Sequence, residues 1–172
     1  MLRNITITVV LFFTFILQST FFKAISLGGI SPNVIVVVIV SLAFIRGKKT
    51  GIYAGFFSGI LYDIFFGTAL GFYALIYMYI GYLVGYLHDY FFKEDVKLPL
   101  LLTAVADFAL NILIFVLFFL LRGKFYITYY FLHIILPEVV YTVVITLLIY
   151  PLLLFMNRKF DKLEKRGEKK VV

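Results

Sequence analysis

Residues 51–71, GIYAGFFSGILYDIFFGTALG, carry a four-residue beat. Gly51, Gly55, Gly59 and Gly67 keep it, and Asp63 takes the remaining step. A helix turns once in about 3.6 residues, so positions four apart drift slowly around it and make one narrow stripe. The first three glycines give that stripe no side chains, which lets a second helix backbone come very close. Asp63 puts an ionisable group on the same stripe among Phe, Ile, Leu and Tyr. Two readings stand side by side: helix packing alone, or packing with a ligand site beside it. Either way the segment is expected at the centre of a bundle.

What lies outside that bundle is set by composition. The chain has 172 residues, 63% hydrophobic and 20% aromatic, with a mean hydropathy of +1.06. Soluble domains are usually less than half apolar, so this is an all-α integral membrane protein. A carboxylate is costly against lipid, so the Asp63 face must turn toward protein. The length admits six spans of roughly 20 residues and no soluble catalytic domain. Cysteine is absent, which excludes disulfides, thiolate nucleophiles and cysteine metal sites. Tryptophan is absent too, leaving Tyr and Phe for the interfacial aromatic belt.

The spans are expected at residues 5–22, 33–48, 51–66, 69–87, 98–121 and 137–156, a single bundle over 1–157 followed by a basic cytoplasmic tail, 158–172. The first apolar run is followed by Ala24 and Ser26, a small-x-small pair, but it is long for a signal peptide and is read as retained. The second span has only about 12 apolar residues, roughly 18 Å of helix against a hydrocarbon core of roughly 30 Å. It is read as a short true span, with shielding by neighbours or a re-entrant path as alternatives. Pro137 suits a helix start and Glu138 its first turn, while Tyr150 and Pro151 suggest a kink. Residues 131–136 either lie along the interface or extend the last helix outward.

Six spans put 13 Lys/Arg on the amino-terminal side and 3 on the other, so the positive-inside rule places both termini in the cytoplasm. The tail holds seven Lys/Arg against three acids, which points to anionic lipid rather than nucleic acid.

Catalytic constellations fail. His88 and His133 have no partners at metal-ligand spacing, and His88 is read as solvated in a loop. There is no phosphate-binding glycine loop and no nucleophile elbow. The chain is therefore read as no enzyme, with no cofactor. Asp107, near the middle of the fifth span, is the costliest residue, at roughly 2.5–3.5 kcal/mol if charged at the bilayer centre. Asn111, one turn on, could supply it with an amide donor. Asp107 is either a buried polar clasp between helices or a proton or ligand site. Asp63 and Glu138 fall near the outer ends of their spans, where Arg122 emerges, so an outer-leaflet cluster with Arg122 pairing one acid is expected. A first-turn acid stabilised by its own helix dipole serves equally well for Glu138.

The short second span ending in RGKK, the glycine-striped helix closing in LYDIFFGTALGFYAL, the following GYLVGYL, LPE and a later YP form an ordered set from Pro32 to Pro151. In that order and spacing the chain resembles the rod shape-determining protein MreD family. The resemblance implies a six-helix scaffold of the bacterial cell-elongation and peptidoglycan-synthesis machinery, in the cytoplasmic membrane. It implies association with MreC, a bitopic membrane protein. Through MreC it implies links to MreB filaments, the glycan polymerase RodA and a class B penicillin-binding protein. It also implies a fold similar to the substrate-binding subunits of energy-coupling-factor transporters. By position it gives structural or partner-binding weight to Asp63, Gly67, Pro137, Glu138, Tyr150 and Pro151. The alternative is a substrate-binding subunit of a vitamin or small-molecule transporter, with Asp63, Asp107 and Asn111 as contacts. Its usual alanine spacing on the first helix is missing from residues 5–22.

Overall fold

The computed structural model describes residues 2–26, 28–67, 69–91, 95–118 and 127–168. They are helical, without a β-strand among them. The helices are α1 (Leu2–Ser19), continued by a short α2 (Phe21–Ala24), α3 (Val34–Arg46), α4 (Lys48–Phe66), α5 (Phe72–Leu87), α6 (Lys97–Phe118), α7 (Ile127–Tyr130) and α8 (Leu136–Glu168). A π-helical turn, Phe131–Ile135, joins α7 to α8 without a break, which makes six helical segments among the described residues.

At the centre stands α3, not the glycine-striped α4. All twelve residues from Val34 to Ile45 are buried, and α3 packs against α1, α4, α5, α6 and α8. Its sequence, VIVVVIVSLAFI, explains this: a helix apolar on every face has no side to give to water. Its single hydroxyl, Ser41, donates to the Val37 carbonyl one turn back (2.6 Å). A sheath of neighbours therefore houses this helix, which is only about 20 Å long.

The glycine stripe has a different task from filling the centre. It presses α4 against α5 until the two backbones touch. A Cβ on Gly51 would overlap the Gly81 carbonyl and stand 2.7 Å from Ala43 Cβ. One on Gly59 would stand 2.6 Å from Ala74 N, and one on Gly85 would stand 2.6 Å from Lys48 Cα. The contact is reciprocal, because α5 brings its own small residues, Ala74, Gly81 and Gly85, to the same seam.

Large apolar side chains cover the outside, among them Val9, Phe13, Phe65, Leu75, Leu101, Val144 and Leu148. Ile5–Ala24, Lys97–Phe118 and Thr128–Asp161 are long and apolar enough to cross a membrane, and Val34–Arg46 and Phe72–Leu87 are apolar but shorter. With polar groups inside and hydrocarbon outside, this is a membrane protein.

The last helix does not begin at Pro137. The helical run starts at Ile127, and the π turn immediately precedes the proline, with Leu136 N–H reaching back to the Phe131 carbonyl. Pro137 has no N–H to give to the ladder, and a widened turn absorbs both the missing bond and the ring. Residues 131–136 thus extend the helix. Pro151 lies inside α8.

Candidate functional site

Asp63 closes the α4–α5 seam at one end. Its Oδ2 accepts the backbone N–H groups of Gly71 and Ala74, and its Oδ1 that of Tyr73, each at 3.0 Å. These are first-turn amides of α5, which has no partner for them within its own ladder. The carboxylate also meets the positive end of the α5 dipole. Asp63 is 3% exposed, so its charge is held by a helix terminus rather than by water. Gly71 turns the chain into α5 with φ +96°, a conformation that favours glycine. Gly67 caps α4, its N–H shared between the Tyr62 and Asp63 carbonyls (3.1 Å each), where a Cβ would stand 2.6 Å from Asp63 Cα.

A second polar group lies where α3 begins. Because α3 is short, its amino terminus opens inside the bundle, and side chains from other helices take up its free amides. The Gln18 side chain on α1 accepts from Val34 N–H (2.8 Å) and donates to the Pro32 carbonyl (3.0 Å). The Thr142 hydroxyl on α8 accepts from Asn33 N–H (3.0 Å), and Asn33 Oδ1 caps Val36 N–H (3.3 Å).

Into this junction α6 brings Asp107, which is fully buried. The side chains of Thr142 and Asn33 face its carboxyl oxygens as donors, but at positions outside good hydrogen-bond geometry. Asn111 does not serve it as expected: its amide donates to the backbone carbonyl of Asp107 (3.1 Å), not to the carboxylate. On one helix the i, i+4 carbonyl is the nearer acceptor. The Glu138 carboxylate, in the first turn of α8, interacts with both Asn111 and Asp107. Four tyrosines interact with the two acids. Tyr77 is buried beside Asp107, and Tyr62, Tyr73 and Tyr130 lie in reach of Glu138. Tyr62 and Tyr73 pack with ring centroids 4.5 Å apart.

The two acids expected in the outer cluster keep different nearest partners. Asp63 turns to the α5 terminus and Glu138 turns inward to Asp107, with Tyr62 and Tyr73 in reach of both acids. Arg122, the expected ion-pair partner, lies outside the described residues. Tyr150 is fully buried against Phe44 of α3 (centroids 6.4 Å apart), while Pro151 beside it is exposed. His88 is not simply solvated: its Nδ1 is 2.6 Å from the Phe44 carbonyl and its ring lies against Gly47. The last turn of α3 leaves such carbonyls free to accept. Asn33, Thr142, Gln18 and Tyr77 escape a sequence reading. Asn and Thr are ordinary residues near helix starts, and only the depth of the α3 terminus makes them central.

Chemically, the group offers oxygen acceptors, two acids and neutral hydroxyl and amide donors. No set of three or more His, Asp and Glu residues that could hold a metal gathers among the described residues. No curated protein matches the chain, and no solved structure matches it. The family model described as rod shape-determining protein MreD matches residues 1–160, a span that contains the striped helix, the Asp63 cap and the Asp107–Glu138 group. The chain belongs to the rod shape-determining protein MreD family.

Proposed function

We propose that this protein is a non-enzymatic scaffold of the cell-elongation machinery in the bacterial cytoplasmic membrane. It binds an MreC-like bitopic protein within the bilayer and through it positions MreB filaments, a RodA-like glycan polymerase and a class B penicillin-binding protein. The observation that carries this reading is the family match over nearly the whole chain. The structure fits it. A scaffold must present a fixed outer surface, and here α3 is packed on all sides while α4 and α5 meet backbone to backbone. Both termini face the cytoplasm in this reading, and the basic tail lies on anionic headgroups. Any likeness to the substrate-binding subunits of energy-coupling-factor transporters is then one of architecture and not of cargo.

Depletion in the source cells tests the reading. Rods are expected to widen and round up as the protein is diluted, with rescue by the intact chain. Unchanged shape after depletion, or loss of vitamin uptake in its place, contradicts it.

A further inference from the structure

Where α3 ends, it forms an open pocket with the start of α1 and the later turns of α8. The lining of this pocket is graded. Thr6 on α1, Arg46 on α3 and Asn157 on α8 make an outer, polar tier. Val10, Leu42 and Leu153, each four residues farther into its own helix, make an inner, apolar tier. Four residues of helix rise about 6 Å, so all three walls pass from polar to apolar within one turn and in the same direction. Beside the inner tier the outer surface is apolar as well, with Val9, Phe13 and Leu152 exposed.

Arg46 dominates the outer tier. It is half-buried, and its Nε donates to Asn157 Oδ1 (2.6 Å), while Asn157 Nδ2 donates to Asp161 Oδ2 (3.1 Å). Asn157 is itself 9% exposed, so a buried amide fixes the plane of the guanidinium. A guanidinium is a rigid fork of N–H donors that suits the paired oxygens of a phosphate. Lys48 and Lys49 follow Arg46 in the chain, and Arg158 and Lys159 follow Asn157. They make this end of the bundle positive, offset in part by Asp161.

We propose that the pocket between α1, α3 and α8 holds one anionic phospholipid of the surrounding membrane. Its phosphate lies on the Arg46 guanidinium, and the first carbons of a chain lie against Val10, Leu42 and Leu153. A soluble anion makes no use of the inner tier, and a zwitterionic head brings a cation to a positive end of the bundle. An anionic head on an apolar chain fits both tiers. The lipid links α1 and α8, which each pack on α3. This is one fixed site, distinct from the general attraction of the basic tail to headgroups, and it is independent of the scaffold reading.

The test uses the full chain, stripped of lipid in a neutral detergent, and follows helix loss on heating by circular dichroism. Phosphatidylglycerol is added to the micelles in one series, phosphatidylcholine with the same chains in a second, and glycerol phosphate, a head without chains, in a third. Phosphatidylglycerol at a hundredfold excess over half-saturation is expected to raise Tm by about 5–10 °C, and the other two to leave it within about 2 °C of the start. Arg46→Gln is expected to lose the response. Lys48→Gln with Lys49→Gln, which removes nearby charge from outside the pocket, is expected to keep it. Should Arg46→Gln fail to fold, Val10→Phe fills the inner tier with the guanidinium in place and is also expected to lose the response. A Tm that does not move with phosphatidylglycerol overturns the proposal. An equal rise with phosphatidylcholine overturns the anionic head, and an equal rise with glycerol phosphate reduces the site to one for small anions and overturns the lipid. An Arg46→Gln or Val10→Phe protein that responds as the wild type does overturns the place.

Discussion

Gly55→Ala adds one methyl group at the tightest part of the α4–α5 seam. The new Cβ would overlap the Tyr77 carbonyl and stand 2.7 Å from Met78 N, where ordinary contact starts at 3.4 Å. Both are backbone atoms, so no side chain can step aside and the helices must part by at least 0.7 Å. Overpacking of this kind costs about 1–3 kcal/mol. Against it, alanine is the better helix former by about 0.5–1 kcal/mol. The net expectation is a destabilisation of about 1–2 kcal/mol, a fall in Tm of roughly 2–8 °C for a chain of this length. Because Gly51, Gly55 and Gly59 share one seam, parting it once relieves the others, so Gly55→Ala with Gly59→Ala costs less than the two single changes added. The assay is thermal unfolding in mild detergent followed by circular dichroism, since the chain has no tryptophan to report by fluorescence. Phe56→Leu, on the exposed face of the same helix, is the control and is expected within about 0.5 kcal/mol of wild type. A Gly55→Ala protein as stable as wild type, or more stable as propensity alone requires, refutes the close-packed seam.

Asp63→Ala leaves three first-turn amides of α5 without their acceptor and is expected to cost about 2–4 kcal/mol. Hydrogen exchange of Gly71, Tyr73 and Ala74 should accelerate while α6 stays protected. Asp63→Asn keeps one acceptor oxygen and falls between Ala and wild type. Gly71→Ala meets open space but a φ of +96°, so backbone strain alone lowers stability by about 1–2 kcal/mol, and Gly71→Asn recovers part of it. Gln18→Ala frees Val34 N–H and the Pro32 carbonyl at the buried start of α3, with an expected cost of about 1–3 kcal/mol in the same unfolding assay.

Much of the helical plan is legible in the sequence because hydrophobic runs, glycines and prolines act locally. The expected span at 51–66 meets α4, and the one at 98–121 overlaps α6. The stripe announces a close backbone contact, since Gly51, Gly55 and Gly59 leave one face of the helix without side chains. Its partner is less legible, because α5 spaces its small residues unevenly, at 74, 81 and 85. What the chain order hides is centrality. A run of twelve apolar residues reads the same as a short span at the rim or as a helix wrapped on all sides, and only tertiary packing makes α3 the latter. The same fact hides the candidate site. Asp107 stands out as a charge in an apolar run, but its companions Asn33, Thr142 and Glu138 lie on α3 and α8 and meet it only because the α3 terminus is deep. Asn111, adjacent in the pattern, is drawn away by its own helix backbone.

The scaffold reading is tested most directly by purifying the protein from native membranes in mild detergent and identifying bound proteins and small molecules by mass spectrometry. A bitopic periplasmic partner with wall-synthesis enzymes, lost together when Gly55→Leu opens the α4–α5 seam, is the expected result. ATP-binding-cassette subunits with a vitamin-sized ligand, and no such partner, would contradict it.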